Sequence, residues 1–169
     1  RDTSERKHDL AQACITSITA YTSTDFNAVK GYDRNITRAL YGSPFEYLIE
    51  DSAHERGWSQ DLRLGSLPEA EVFWVGGVNL SRSERNFDSS NFTNGALQQR
   101  EFSTNSYAAY GEITFPIAED WKLTTGLRHT WDRKTYGGEY TSAGNRASDS
   151  RQLQDNYSTG RVALAYALT

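Results

Sequence analysis

Three histidines and one cysteine are the residues of this sequence that most often hold a metal ion. His8, His54 and His129 occur at no zinc-binding spacing relative to one another or to Cys14. Cys14 lies in the apolar stretch QACITSI, which predicts a packed and inert thiol, and a single cysteine excludes an internal disulfide. We therefore expect neither a metal site nor a cofactor.

Charged residues that alternate with apolar ones are the next candidates for chemistry. Six of them fall on one predicted strand face: Asp61, Arg63, Glu112, Arg128, Asp132 and Arg161. Two carboxylates around a cleft could hydrolyse glycosides, but no pair is placed that way, and the sequence has no G-x-S-x-G elbow and no phosphate-binding or dinucleotide glycine loop. Two interpretations stay open, a polar lumen through which a substrate passes and a charge ladder that joins adjacent strands, and neither is enzymatic.

Composition narrows the possible partners. The chain has 18 basic and 22 acidic residues and a net charge of −4, so no surface for nucleic acid is indicated. No apolar run approaches the ~18 residues that a membrane-spanning helix needs, which excludes a spanning helix but not spanning strands. The chain begins with RDTSERKHDL, without a signal segment, and contains no methionine, which indicates an internal piece of a longer protein.

Period-two alternation predicts a β-hairpin in the middle of the chain. Residues 121–132 place Trp, Leu and His on one face and polar residues on the other. A helix is the alternative, because Leu123, Leu127 and Trp131 are spaced by four, but the Thr-rich interior favours a strand. Residues 106–115 alternate likewise, and pairing like faces puts Phe115 opposite Trp121, Tyr107 opposite His129, and a turn between.

About six strands are predicted in all, joined by connections of alternating length. The strands are residues 13–26, 58–65, 71–83, 106–115, 121–132 and 158–169. Short turns at 66–70 and 117–120 alternate with long polar loops at 27–57, 84–105 and 134–157, and the stretch FEYLIEDSAHERG is assigned to the first loop with at most one helical turn. Such alternation is typical of a transmembrane β-barrel, whose turns face the periplasm and whose long loops face outward.

Aromatic residues fall at two heights of the predicted strands, as they do at the two interfaces of a membrane. Trp74, Phe115 and Trp121 are expected near the inner rim. Trp58, Tyr107 and Trp131 are expected near the outer rim, so the lipid bilayer is a predicted partner. The alternative is a soluble β-sandwich or meander in which these aromatic residues form an ordinary core.

Five stretches in order carry a resemblance to a known family: ITSITAYTSTDF, WSQDLRLGS, FWVGGVNLSRSE, SYAAYGEITFPIAEDWKLTTGLRHTWDRK and YSTGRVALAYALT. Together they resemble the barrel region of TonB-dependent outer-membrane receptors. Asp61, His129 and the pair Thr159-Gly160 depart from the usual Glu, Tyr and Thr-Pro. The resemblance implies an all-β antiparallel meander over residues 1–169, part of a transmembrane barrel of ~22 strands, with the plug domain and the other strands outside this chain.

The same resemblance implies a function in the Gram-negative outer membrane. The expected activity is uptake of a scarce small-molecule nutrient such as a ferric siderophore, cobalamin or haem, driven by the TonB complex through segments outside this chain. Tyr136, Tyr140 and Arg146 are expected to meet the ligand on the outward loops. The alternatives are a surface barrel that does not transport, such as an adhesin, and a soluble β-sheet binding module.

Overall fold

Seven long strands and one short helix make up the computed structural model, which describes residues 2–10 and 13–167. The strands are β1 (Asp2–Asp9), β2 (Ala13–Tyr32), β3 (Tyr47–Ser66), β4 (Phe73–Asn91), β5 (Ala96–Ala118), β6 (Trp121–Ser142) and β7 (Asn145–Tyr166), and helix α1 (Arg34–Tyr41) lies between β2 and β3. All seven strands form one sheet in chain order, and each pairs antiparallel with the next. The predicted antiparallel meander is confirmed.

Strand β1 is the element that the sequence prediction of about six strands missed. Its sequence, DTSERKHD, contains no apolar side chain, so it has no alternation between apolar and polar residues. It pairs with β2 from Asp2 opposite Tyr21 to Asp9 opposite Cys14. Backbone pairing with a neighbour, rather than side-chain pattern, makes this segment a strand.

The predicted long loops are mostly strands. Most residues of 27–57, 84–105 and 134–157 extend β2 to β7, which are 19 to 23 residues long. Residues 92–95 alone join β4 to β5, and Ala143 and Gly144 join β6 to β7, both with positive φ. The prediction of loops was wrong because these extensions carry polar residues on both faces, which hides their period-two pattern.

The predicted helical turn was also misplaced. Within FEYLIEDSAHERG, the residues from Tyr47 onward begin β3, and the helix lies upstream as α1. Asp33 caps its first turn by accepting hydrogen bonds from the backbone N–H groups of Asn35 (2.8 Å) and Ile36 (2.9 Å). Gly42 ends it with a left-handed φ of 77°. The order Asp33 to Gly42 was therefore a usable helix signal in DRNITRALYG.

The β5–β6 hairpin is shifted by two residues from the predicted register. Phe115 pairs with Leu123 instead of Trp121, and Tyr107 pairs with Trp131 instead of His129. A bulge between Pro116 and Ala118 brings Ala118 opposite Trp121, so the turn is shorter than predicted. Because the shift is an even number, every side chain stays on its predicted face.

The sheet encloses no hydrophobic core. Within the described residues, Ala96 and Ala108 are the buried apolar side chains. The accessible surface is 12187 Å², whereas a compact protein of this mass exposes about 8,400 Å². A β-sandwich needs two sheets packed face to face, so the soluble sandwich alternative is wrong. In the part of the chain that the structure describes, no helix is long and apolar enough to cross a membrane.

Candidate functional site

The sheet has one apolar face and one polar face along the half of the strands near the short turns 67–72 and 119–120. The pairing registers carry each face across the sheet, as in the row Leu62, Val78, Ala109 and His129. The apolar face holds Ile15, Tyr21, Trp58, Leu62, Leu64, Trp74, Val78, Leu80, Tyr107, Ile113, Phe115, Trp121, Leu123, Leu127, Trp131, Val162, Leu164 and Tyr166. Leu127 is 62% exposed and Val162 is 77% exposed, so nothing among the described residues covers the face.

Aromatic side chains bound the apolar face at both ends. The six predicted membrane-interface residues Trp58, Trp74, Tyr107, Phe115, Trp121 and Trp131 all lie on it. At the end near the short turns, the rings of Trp121 and Tyr166 are 4.9 Å apart. The ten residue steps from Trp121 to Trp131 rise roughly 25 Å for a strand tilted by about 40°, which matches the apolar band of an outer-membrane barrel. Their contact with lipid stays a prediction.

His129 is a polar exception on the apolar face. Its Nδ1 atom lies 2.7 Å from the hydroxyl oxygen of Ser158 on β7, also on this face. Its ring packs edge-on against Trp131 with a centroid distance of 4.3 Å. This contact gives His129 Nδ1 and the Ser158 hydroxyl a polar partner among exposed apolar side chains.

The polar face carries all six charged residues that the sequence predicted for it. Asp61 is the centre of a network: its carboxylate accepts hydrogen bonds from Arg63 Nε (2.8 Å), Asn79 Nδ2 (3.3 Å) and the Tyr110 hydroxyl (2.8 Å). The Asp61 side chain is 15% exposed. These contacts join β3, β4 and β5. Asn79 and Tyr110 were not singled out as site residues in the sequence.

The other predicted charges are paired locally. The Arg128 guanidinium lies 5.8 Å from the centre of the Tyr110 ring, which connects it to the Asp61 network. Arg161 forms a separate ion pair with Glu112 across β6, at 3.4 Å. Asp132 stands apart and accepts a hydrogen bond of 2.6 Å from Ser106. Each charge has a partner on the same or a nearby strand, which agrees with the charge-ladder interpretation and leaves a polar face available to line a lumen.

The three predicted ligand-contact residues lie in strands rather than loops, and they do not share a face. Tyr136 and Tyr140 on β6 lie on the extension of the polar face. Arg146 on β7 lies on the opposite face, where its guanidinium is 2.5 Å from the Glu139 carboxylate. The structure therefore groups the two tyrosines and separates Arg146 from them.

A cluster beside Tyr136 was missed in the sequence. It consists of Phe87, Arg100, Phe102 and Tyr136, which lie on the polar face of β4, β5 and β6. The Arg100 guanidinium is 5.6 Å from the Phe87 ring centre, and the rings of Phe102 and Tyr136 are 5.1 Å apart. We call these four residues the aromatic–arginine cluster. The two-residue spacing of Arg100 and Phe102 was a signal for a shared face, but the segment had been assigned to a loop.

A hydrogen-bonded carboxylate ties three strands together farther from the aromatic residues. The buried Asp51 on β3 accepts hydrogen bonds from Lys30 Nζ on β2 (2.6 Å) and from the Ser89 hydroxyl on β4 (2.7 Å). The hydrogen bonds from Lys30 and Ser89 lower the pKa of Asp51 below its usual value. This site lies outside the band bounded by the aromatic residues.

Metal binding finds no support in the side-chain arrangement. Over residues 2–10 and 13–167, no three His, Cys, Asp or Glu side chains come close enough together to hold an ion.

Comparison with known proteins relates this arrangement to one family. The family model for the TonB dependent receptor-like β-barrel matches residues 3–169. The ferric yersiniabactin uptake receptor FyuA from Yersinia pestis superposes with a TM-score of 0.77 at 18% identity over 99% of this chain. The siderophore receptor PiuA from Acinetobacter baumannii superposes with a TM-score of 0.64 at 15% identity, also over 99%.

These likenesses are at the level of fold. The chain spans 25% of the FyuA structure and 30% of the PiuA structure, so it corresponds to part of such a barrel. No curated protein compared with the sequence matches it.

Proposed function

Because the chain belongs to the TonB-dependent receptor β-barrel family, we propose that it forms part of the wall of an outer-membrane transporter for a scarce nutrient. Barrels of this family lie in the Gram-negative outer membrane, and the family is one of transporters rather than enzymes. The observation that carries the proposal is the uncovered apolar face, bounded at both ends by aromatic residues and backed by a polar face.

The two faces have separate roles in this proposal. The apolar face contacts lipid, and the polar face lines the lumen of the complete barrel. The network around Asp61 satisfies its own charges, so it can keep β3, β4 and β5 in register while a ligand or a plug domain lies against it. The segments that would contact the plug domain and the TonB complex belong to the rest of the protein.

A ferric siderophore is the transported ligand that we propose, with cobalamin and haem as the other candidates. The two structural relatives are a ferric yersiniabactin uptake receptor and a siderophore receptor. The aromatic–arginine cluster supports the same class, because a guanidinium beside aromatic rings can bind an anionic, aromatic ligand by charge and by stacking. Tyr140 lies beyond it on the same face and extends this surface.

Growth and uptake of a deletion strain test the proposal. We expect a strain without the full-length gene to lose growth on one source among ferric siderophores, cobalamin and haem, and the wild-type gene to restore it. In the restored strain, R100A/Y136A should raise the ligand concentration for half-maximal uptake by about tenfold, since each of the two contacts contributes roughly 0.7 kcal/mol. Labelled ligand uptake measures this value.

The matched control is R146A, which removes an arginine at the same end of the sheet but on the opposite face. It should leave the half-maximal concentration within about twofold of wild type. Unchanged growth of the deletion strain on every source would contradict transport and favour the adhesin alternative. Equal effects of R146A and R100A/Y136A would contradict the proposed ligand site but would leave the proposed transport standing.

A further inference from the structure

The apolar face ends in arginine on three strands. On β3, β4 and β6, the first side chain of this face beyond the outer end of the apolar band is an arginine. The pairs are Trp58 followed by Arg56, Leu80 followed by Arg82, and Trp131 followed by Arg133. We call Arg56, Arg82 and Arg133 the arginine belt.

The pairing register places the belt at the height of the outer aromatic residues. Arg82 pairs directly with Trp58, and Trp58 pairs with Tyr21 on β2. Asn105 on β5 pairs with Arg82 on one side and with Arg133 on the other, so the two arginines lie in the same row of the sheet. In the membrane orientation proposed above, on which this inference rests, Trp and Tyr mark the interface, so the three guanidinium groups lie at the height of the lipid headgroups.

The belt carries excess positive charge. Glu84 contacts both Arg56 Nε (3.0 Å) and Arg82 Nε (2.9 Å), while the two arginine side chains remain 58% and 50% exposed. Arg133 is exposed and, within the described residues, makes no ion pair. Three guanidinium groups therefore face one carboxylate, which leaves a net positive charge for an anionic partner.

Two open grooves combine these arginines with aromatic rings. One, of about 250 Å³, is lined by Tyr21 and Trp58 together with Arg56, Arg82 and Glu84. The other, of about 360 Å³, is lined by Tyr107, Trp131 and Arg133 together with Asn105, Gln154 and Asn156. Asp132 and Asp155 also border it, from strand positions of the opposite face. Each groove thus presents an apolar floor beside a cation, which suits a molecule with both acyl chains and an anionic headgroup.

On β4, β5 and β6, the charge of this face changes sign beyond the belt. The next rows of the same face, farther from the aromatic residues, carry the acidic side chains Asp88, Glu101 and Glu139. An arginine fork matches phosphate oxygens, with which it can form two parallel hydrogen bonds. We propose that the arginine belt binds the phosphate groups of anionic glycolipid headgroups in the outer leaflet of the membrane.

Lipid binding to the purified full-length receptor tests the inference. Native mass spectrometry in detergent would measure binding of lipid A that carries two phosphates and of lipid A whose phosphates have been removed. We expect the phosphorylated lipid to bind more tightly, and R133Q to weaken its binding roughly fivefold, with a larger loss in R56Q/R82Q/R133Q. R133Q is informative by itself because, in the part of the chain that the structure describes, Arg133 has no carboxylate partner whose loss could disturb the sheet.

R146Q is the matched control, since Arg146 lies on the same face farther from the aromatic residues. It should leave binding within about twofold of wild type. Equal binding of the two lipids, or unchanged binding by the triple variant, would overturn the inference. Complete displacement of the lipid by millimolar inorganic phosphate would also overturn it, because the belt would then be a site for free phosphate. Nutrient uptake measured in parallel separates these outcomes from failure of the proposed transport.

Discussion

The Tyr110 hydroxyl on β5 donates a 2.8 Å hydrogen bond to the Asp61 carboxylate on β3, and to do so it crosses the intervening strand β4. Gly77 makes the crossing possible. A Cβ atom at this position would lie 2.7 Å from both Cζ and the hydroxyl oxygen of Tyr110, and 2.6 Å from the backbone oxygen of Leu62. The polar network of the barrel wall therefore depends on one residue that has no side chain.

Replacement of Gly77 by alanine should destabilise the barrel. The backbone oxygen of Leu62 cannot move away as a flexible side chain could, so we expect G77A to lower the free energy of unfolding by about 1–3 kcal/mol. Denaturant unfolding of the full-length receptor in lipid vesicles measures this change. The control is G76A, whose Cβ would meet its nearest atom at an ordinary 3.7 Å. Equal stability of the two variants would contradict the crowding at Gly77.

Removal of the Tyr110 hydroxyl should weaken the same network. Y110F leaves Asp61 with Arg63 and Asn79 as partners, so we expect a loss of about 1 kcal/mol in the free energy of unfolding. The double variant G77A/Y110F should lose less free energy of unfolding than the sum of the losses in the two single variants. In G77A the new methyl group displaces Tyr110 and already breaks its hydrogen bond to Asp61. Strict additivity in the denaturant series would show that Tyr110 stays bonded to Asp61 in G77A.

The sequence was informative where one face of a strand is apolar. Residues 121–132 alternate strongly enough to assign both faces, and the structure keeps Leu127 and Arg128 on the faces that were predicted. The pairing register of β5 and β6 could not be derived in the same way. Alternation determines only that the two strands pair with like faces together, and registers that differ by two residues satisfy it equally. The bulge between Pro116 and Ala118 then shortened the turn and set a pairing that the pattern of side chains does not encode.

The candidate site was predictable only in part for the same reason. The charged residues near Asp61 alternate with apolar ones, so their common face could be inferred. Arg100 and Phe102 belong to a strand extension with polar residues on both faces, where backbone pairing with neighbours decides the structure. Arg146 was grouped with the tyrosines by its position in the sequence, but the hairpin places its side chain on the other face.

Protonation of Asp51 in acid should destabilise the local pairing of β2, β3 and β4 at the end of the sheet far from the short turns. Its pKa is lowered in the folded protein, so its contribution to stability is present above the unfolded value of about 3.9 and is lost as pH falls through the lower folded value. We expect amide exchange of residues 48–52 and 88–91, corrected for intrinsic rates, to accelerate below about pH 4. In D51N this acceleration should disappear, and its persistence in D51N would assign it to another group.

A charge introduced on the apolar face should lower the free energy of unfolding more than the same charge introduced on the polar face. Val162 and Ala163 are adjacent on β7, lie on opposite faces and are level with the middle of the apolar band. We expect V162R to lower the free energy of unfolding by about 2–4 kcal/mol, as arginine does near the middle of a bilayer. A163R places the arginine on the polar face, so it should lower the free energy of unfolding by distinctly less. Denaturant unfolding in vesicles measures both variants, and a larger loss for A163R would reverse the assignment of faces.

Nitroxide scanning of residues 121–132 tests the membrane-facing assignment most directly. Single cysteines would be introduced in a C14S background of the full-length receptor, labelled, and reconstituted in lipid vesicles. Electron paramagnetic resonance then measures collisions with molecular oxygen, which concentrates in the apolar part of the bilayer. We predict maxima at positions 123, 125, 127, 129 and 131 and minima at the even positions between them. Maxima at the even positions, or a repeat of 3.6 residues, would contradict a strand whose Leu127 side faces lipid.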